Sequence, residues 1–239
     1  MGRFYSITLN LNPNHPDMKT LIYTCLVWSS VTSFVSAQDA AVAVSTDLPL
    51  VFQDDFENGR DRWWTTDDNA WDVHPSDNGK AFGLNKRRSD YQPKVRSPHN
   101  IALIRDIKVA DFVLTFRVKS TKDTGNHRDC CVFFNYQDPT HFYYVHCGQR
   151  PDPHSGQIMI VNDAPRVALT ENENNTPWDD DWHTVKLIRN SKSGKITIYF
   201  DDMKKPHMTV IDKTFGRGQI GIGSFDDMND FDDVRLYGR

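Results

Sequence analysis

Between His127 and Cys147 the chain reads HRDCCVFFNYQDPTHFYYVHC, two apolar, aromatic-rich runs separated by Asp138-Pro139-Thr140. Each run has the length of a typical strand. Asp-Pro breaks any helix while favouring a turn, so the stretch predicts a β-hairpin. The hairpin also carries His127, Arg128, Asp129, Asn135, His141, Tyr143, Tyr144 and His146, which set hydrogen-bonding and titratable groups among residues otherwise suited to a core. Folding the hairpin about Pro139 places Cys131 opposite Cys147, whereas a one-residue slip brings Cys130 there instead. A cross-strand disulfide of either kind and three buried thiols all remain open at this stage.

Strand signals recur on both sides of the hairpin. Leu48 to Phe52 reads as an opening strand, Val109 to Val118 alternates apolar and polar residues, and Gln157 to Val161 is a short apolar strand. Trp182 to Arg189 and Lys195 to Asp201 form a pair joined by Asn190-Ser191-Lys192-Ser193-Gly194. In that pair Trp182, Val185, Leu187, Ile196, Ile198 and Phe200 are expected to be buried, with His183 turned away from the Trp182 side. Gln219 to Phe225 and Phe231 to Tyr237 close the series. No stretch sustains an amphipathic helical period over three turns. The pattern predicts an all-β chain, an antiparallel two-sheet β-sandwich over residues 48–239.

Composition agrees with one globular β domain: 38% hydrophobic and 12% aromatic residues, 25% charged, and a net charge of −4. Lys and Arg are scattered among acids, which excludes a nucleic-acid binder. Residues 1–37 read as a leader and signal peptide: Met18-Lys19 opens a short positive region, Leu21 to Val35 is mostly apolar, and Val35-Ser36-Ala37 supplies a cleavage site. Met18 is a better start than Met1. The apolar run is interrupted by Thr24, Ser29, Ser30, Thr32 and Ser33, and it falls short of the roughly 20 residues that span a bilayer. Cys25 lacks the small residues that precede a lipid-modified cysteine. A secreted or periplasmic protein with no integral membrane span after cleavage is expected, with residues 38–47 as a linker.

The segments DDFENGRDRWW, VFFNYQDPTHFYYVH, WHTVKLIRNSKSGKITIYFDD and GIGSFDDMNDFDDVRLYG resemble successive strands of the concanavalin A-like lectin/glucanase superfamily, which includes laminin G-like modules. The likeness spans about Phe52 to Tyr237. A more distant resemblance is to secreted bacterial domains of the keto-disaccharide hydrolase or family 16-like type. The resemblance implies a jelly roll whose concave face holds carbohydrate. It implies two classes of function: a carbohydrate-active enzyme, either polysaccharide lyase or atypical glycoside hydrolase, and a noncatalytic lectin-like or adhesion module.

Retaining glucanases of this fold carry two carboxylates about 5 Å apart on a strand reading Glu-x-Asp-x-x-Glu. This chain has no such strand. Glu171 and Glu173 have the alternating spacing but lie in a polar segment that reads as an exposed loop. Basic and phenolic groups are the better candidates. His127, Tyr144, His146 and Asp163 are the candidate catalytic residues; Arg88, Tyr91, Arg96, His99, Arg128, Asn135, Asn162 and Arg166 are the candidate substrate-binding residues. In a lyase such groups neutralise a uronate carboxylate and move its neighbouring proton; in a binding module they only hydrogen-bond hydroxyls and pair with carboxylate or sulfate. A zinc site from His127, His141 and His146 is opposed by strand alternation, which puts His141 and His146 on opposite faces. Acids at the two ends of the domain suggest a structural calcium (Ca2+) held by Asp54, Asp55 and Asp232, separate from the carbohydrate site.

Overall fold

The computed structural model describes residues 47–239. The expected signal peptide and nearly all of the expected linker lie outside the described residues. Fifteen strands follow one another: β1 (Leu50–Asp54), β2 (Trp63–Thr65), β3 (Trp71–Ser76), β4 (Gly79–Leu84), β5 (Asn100–Ile104), β6 (Phe112–Ser120), β7 (Cys131–Asp138), β8 (His141–His146), β9 (Ile158–Asn162), β10 (Val167–Ala168), β11 (His183–Asn190), β12 (Lys195–Phe200), β13 (Met208–Ile211), β14 (Gln219–Ser224) and β15 (Asn229–Gly238). No helix among the described residues is long and apolar enough to cross a membrane.

The strands form the predicted two-sheet antiparallel β-sandwich. The first sheet runs β13-β12-β11-β6-β15-β4-β3, and β1 pairs with β15 as well. The second runs β10-β9-β8-β7-β14-β5-β2. Alternation along the strands turns one face of each sheet inward, so Leu114 and Phe116 of β6 and Leu236 of β15 share a buried core with Val132 and Phe134 of β7 and Ile222 of β14. Phe82 anchors one end of this core, with ring centroids 4.6 Å from Trp71, 5.2 Å from Phe56 and 5.8 Å from Trp63.

The second sheet is buried on its other face too. Ile101, Leu103, Phe133, Phe142, Tyr144, Met159 and Val161 form a separate apolar cluster there, against which Val95 packs from the segment 85–99 that joins β4 to β5. This explains why the hairpin strands read as nearly continuous apolar runs rather than alternating ones.

Two predicted details change. Asn135 takes a φ of 46° at an irregularity between Phe134 and Asp138, which accommodates extra residues on β7. The register shifts accordingly: Cys131 faces His146, and the Cys147 N–H donates to the Cys130 carbonyl at 2.8 Å. Cys130 therefore lies across from Cys147, and all three cysteines are buried free thiols. In β11 the core face is that of His183, Val185 and Leu187. Trp182 lies outside it with the Arg117 guanidinium 4.6 Å from its ring, while His183 packs on Trp178 and Phe200. Val185, Leu187, Ile196, Ile198 and Phe200 are buried as expected.

Candidate functional site

At one end of the second sheet, the chain entering β7, the loop leaving β8 and the residues after β14 surround an open cavity of about 800 Å³. Asn126, His127 and Asp129 line it from the approach to β7, and His146 from the end of β8. Arg150, Asp152 and His154 come from the next loop, Arg166 from the turn before β10, Phe225 and Asp226 from the end of β14, and Arg96 from the covering segment. The loop after β8 is shaped by its own backbone. Asp152 and Ser155 exchange N–H···O bonds of 3.0 and 3.3 Å, and the Asp152 carboxylate accepts from the His154 N–H at 2.6 Å. Gly156 closes the turn at a φ of 64°, where any Cβ would stand 2.8 Å from Pro151 Cα.

The His154 carbonyl orients two functional side chains. It accepts from His146 Nδ1 at 3.1 Å and from Arg166 Nη2 at 3.4 Å. The Arg166 guanidinium lies 4.3 Å over the Phe225 ring, and the His146 ring stacks on the same phenyl with centroids 5.7 Å apart. Arg166 is only 9% exposed, yet its Nε and Nη1 have no hydrogen-bond partner. Beneath them the Asp129 carboxylate receives the Ser224 hydroxyl at 2.8 Å and the Phe225 N–H at 2.9 Å, with His146 Nε2 3.6 Å away. Burial alone would push Asp129 up; His146 and those two donors overcome it and hold the carboxyl below its ordinary value. Asp129, Cys131 and His146, all buried, place one ligand atom each within 4.8 Å of one another, the one group among the described residues that meets this geometry for a metal ion.

Of the predicted residues, Arg96, His127, His146 and Arg166 converge on the cavity. Arg88 reaches its rim through Asp226 at 3.8 Å, and the His99 ring meets the Phe225 ring edge-on. Tyr144 lies sealed in the sheet: its hydroxyl has no partner, and burial raises it well above the ordinary phenol range. Tyr91 is half-buried in the covering segment, its carbonyl facing His99 Nδ1 at 3.5 Å. Arg128 points elsewhere, into an ion pair with Asp180 and a second with Asp123 at 3.5 Å. Asn135 serves the β7 irregularity and donates to the Val109 carbonyl at 3.4 Å. Asn162 and Asp163 sit at the far end of β9, where Asp163 binds His141 Nε2 at 3.0 Å. That placement also separates His141 from His146, so the three-histidine zinc arrangement does not form. Arg150, Asp152, His154 and Phe225 were not singled out from sequence, because only the loop geometry brings them to the hairpin.

At the edge where β1 meets β15, Asp54 is committed to the fold. One oxygen accepts from the Phe56 N–H and the other from Trp63 Nε1, both at 3.0 Å. Asp232 accepts from the Asp233 N–H at 2.7 Å and lies 3.6 Å from Arg117. Burial, reinforced by the charges of Asp233 and Asp55, pushes Asp232 up to about 6.

No protein-family model matches the sequence, and no curated protein matches it. Solved structures do. A carbohydrate-binding module from Bacillus subtilis is 17% identical, with a TM-score of 0.53 over 74% of this chain and 96% of the module. Domain 4 of an extracellular arabinanase from Geobacillus stearothermophilus, solved in complex with arabinotriose, is 13% identical, with a TM-score of 0.53 over 81% and 94%. What these likenesses show is the fold, a two-sheet antiparallel β-sandwich. The cellulose-induced protein Cip1 shares it at 12% identity, with a TM-score of 0.52 over 79% of this chain and 97% of that protein.

Proposed function

We propose that this chain is a secreted, noncatalytic carbohydrate-binding domain that takes an acidic glycan into the cavity at the end of its second sheet. The observation that carries this reading is Arg166. A guanidinium pinned on Phe225, nine-tenths buried and with Nε–H and Nη1–H unpartnered, is a donor set built for an acceptor that the protein itself does not supply. Arg96, Arg150 and His127 add donors around it, and Asp152 offers an acceptor for sugar hydroxyls. Structural neighbours that bind or process carbohydrate support the class of ligand.

The noncatalytic reading is favoured over a lyase or hydrolase by the placement of Tyr144 and Asp163. Of the four candidate catalytic residues, the Tyr144 hydroxyl is sealed in the sheet and Asp163 is held by His141 at the other end of the hairpin; His127 and His146 remain at the cavity, and His146 Nδ1 is already bound to the His154 carbonyl. At the β1–β15 edge the calcium reading rests on Asp55 and Asp232, since Asp54 is occupied. The mature protein should be titrated with neutral, uronate-bearing and sulfated polysaccharides while reducing ends and unsaturated products are followed. Saturable binding of an acidic glycan without either product is expected. Release of new ends or of unsaturated sugar would replace this reading with an enzyme, and binding confined to neutral glycans would remove Arg166 from its centre.

A further inference from the structure

Beneath the arginines, the cavity floor holds a different kind of chemistry. We propose that Asp129, Cys131 and His146 form a binding site for a divalent transition-metal ion of the zinc class, one carboxylate oxygen, one sulfur and one imidazole nitrogen supplying the ligands. The proposal does not depend on the glycan reading, because it rests on the orientation of these three side chains alone.

His146 supplies the decisive observation. A carbonyl can only accept, so the 3.1 Å contact with the His154 carbonyl puts a proton on Nδ1 and turns Nε2 inward. Nε2 is buried on a residue only 6% exposed, has no hydrogen-bond partner, and faces Asp129 Oδ2 at 3.6 Å, too far for a hydrogen bond. A metal-ligating histidine is held in this way, its outer nitrogen bound to a carbonyl and its inner one left for the ion. Asp129 is equally prepared. The Ser224 hydroxyl and Phe225 N–H fix Oδ1, and the Asn229 amide donates to the Asp129 backbone carbonyl at 2.8 Å. Cys131 Sγ lies 4.0 Å from Oδ1, and the three ligand atoms fall within 4.8 Å of one another.

Donor type and charge select the ion. Zinc bonds of about 2.0–2.3 Å place tetrahedral neighbours roughly 3.3–3.8 Å apart, so donors that already lie within 4.8 Å of one another close by about 1 Å on binding. Sulfur and nitrogen disfavour calcium and magnesium, and suit zinc, cobalt or nickel. On binding, the Cys131 thiol loses its proton to solvent. The resulting thiolate and the Asp129 carboxylate balance the two positive charges, so the complex carries no net charge into a buried site. Asp129 and His146 line the cavity while Cys131 lies behind them, which leaves the fourth position facing the cavity.

The test uses chelator-treated wild-type protein, titrated with Zn2+ by calorimetry and with Co2+ by absorption. One ion per chain, a sulfur-to-cobalt charge-transfer band, and a raised melting temperature with Zn2+ are expected. Cys131→Ala should abolish the band and weaken binding at least tenfold. Cys130→Ala should keep both, because Cys130 lies in the inter-sheet core on the opposite face. Asp129→Asn should also weaken binding at least tenfold, with His146→Gln taking its place if that variant fails to fold. Absence of stoichiometric binding at micromolar Zn2+ would leave a plain histidine–aspartate ion pair and overturn the proposal. So would binding that survives Cys131→Ala, or a band lost in Cys130→Ala.

Discussion

At Arg166 the demands of folding and of recognition conflict. Its guanidinium is buried with two N–H-bearing nitrogens unpartnered, an arrangement that costs stability when nothing occupies the cavity. Arg166→Met keeps most of the side-chain volume over Phe225 while removing those donors. The melting temperature of this variant is expected to equal or exceed that of the wild type, while acidic-glycan affinity falls at least tenfold. Calorimetric melts beside glycan titrations will decide, and a destabilised variant that still binds would refute the assignment. Asp163→Asn, at the other end of the hairpin, should leave glycan binding unchanged in the same titration. The sequence made Arg166 and His146 visible as polar side chains beside strands. It could not reveal that one backbone carbonyl, that of His154, orients both.

Among the elements, the β7–β8 hairpin was legible because Asp138-Pro139 interrupts two strongly β-prone runs. Its register was not, because a left-handed Asn135 leaves no trace in the apolar pattern yet shifts every pairing beyond it. The loop after β8 depends on Gly156 in a comparable way. Gly156→Ala combines a positive φ with a clash against Pro151 and should cost about 1–3 kcal/mol. It should also weaken glycan binding, because the His154 carbonyl moves; urea unfolding and titration read the two effects separately. The β1–β15 edge makes a prediction in pH. Asp232 titrates near 6 in the folded chain against an ordinary 3.8, so the native state holds more protons than the unfolded one in between, and stability falls as pH rises through that window. Asp232→Asn removes this penalty. In chelator it should be more stable than wild type by about 2 kcal/mol at pH 7, and the gain should vanish by about pH 4. If calcium binds at this edge, added Ca2+ will stabilise the wild type and erase the advantage of the variant; if Ca2+ changes neither melt, the calcium reading fails.

For the molecule as a whole, two-sheet architecture followed from the spacing of short apolar runs, whereas β2, β3, β4, β5, β10 and β13 escaped notice. Apart from β5, whose Ile101–Ile104 is a short apolar run, these strands are short or carry Gly, Pro and polar residues, and they are strands because their neighbours pair with them. Trp182 was grouped with Val185 and Leu187 on the core face by alternation, but a period of two counted back from Val185 and Leu187 reaches His183, which takes that face. Phe82 is the sternest test of the packing. It touches Phe56, Trp63 and Trp71, so Phe82→Ala should lose about 3–5 kcal/mol, a large share of the stability of an ordinary domain. A denaturation midpoint close to that of the wild type would mean the cluster is not packed as described. β15 carries a further consequence. It joins β1, the β3–β4 pair and the β6–β11–β12–β13 group into one sheet, so these earlier strands wait for residues 229–238 before the first sheet can join up. Closure over such sequence distances is slow. The first sheet therefore cannot be completed on the ribosome until residues 229–238 have emerged, and until then β1, β4 and β6 each keep an open edge that another chain or a chaperone can meet.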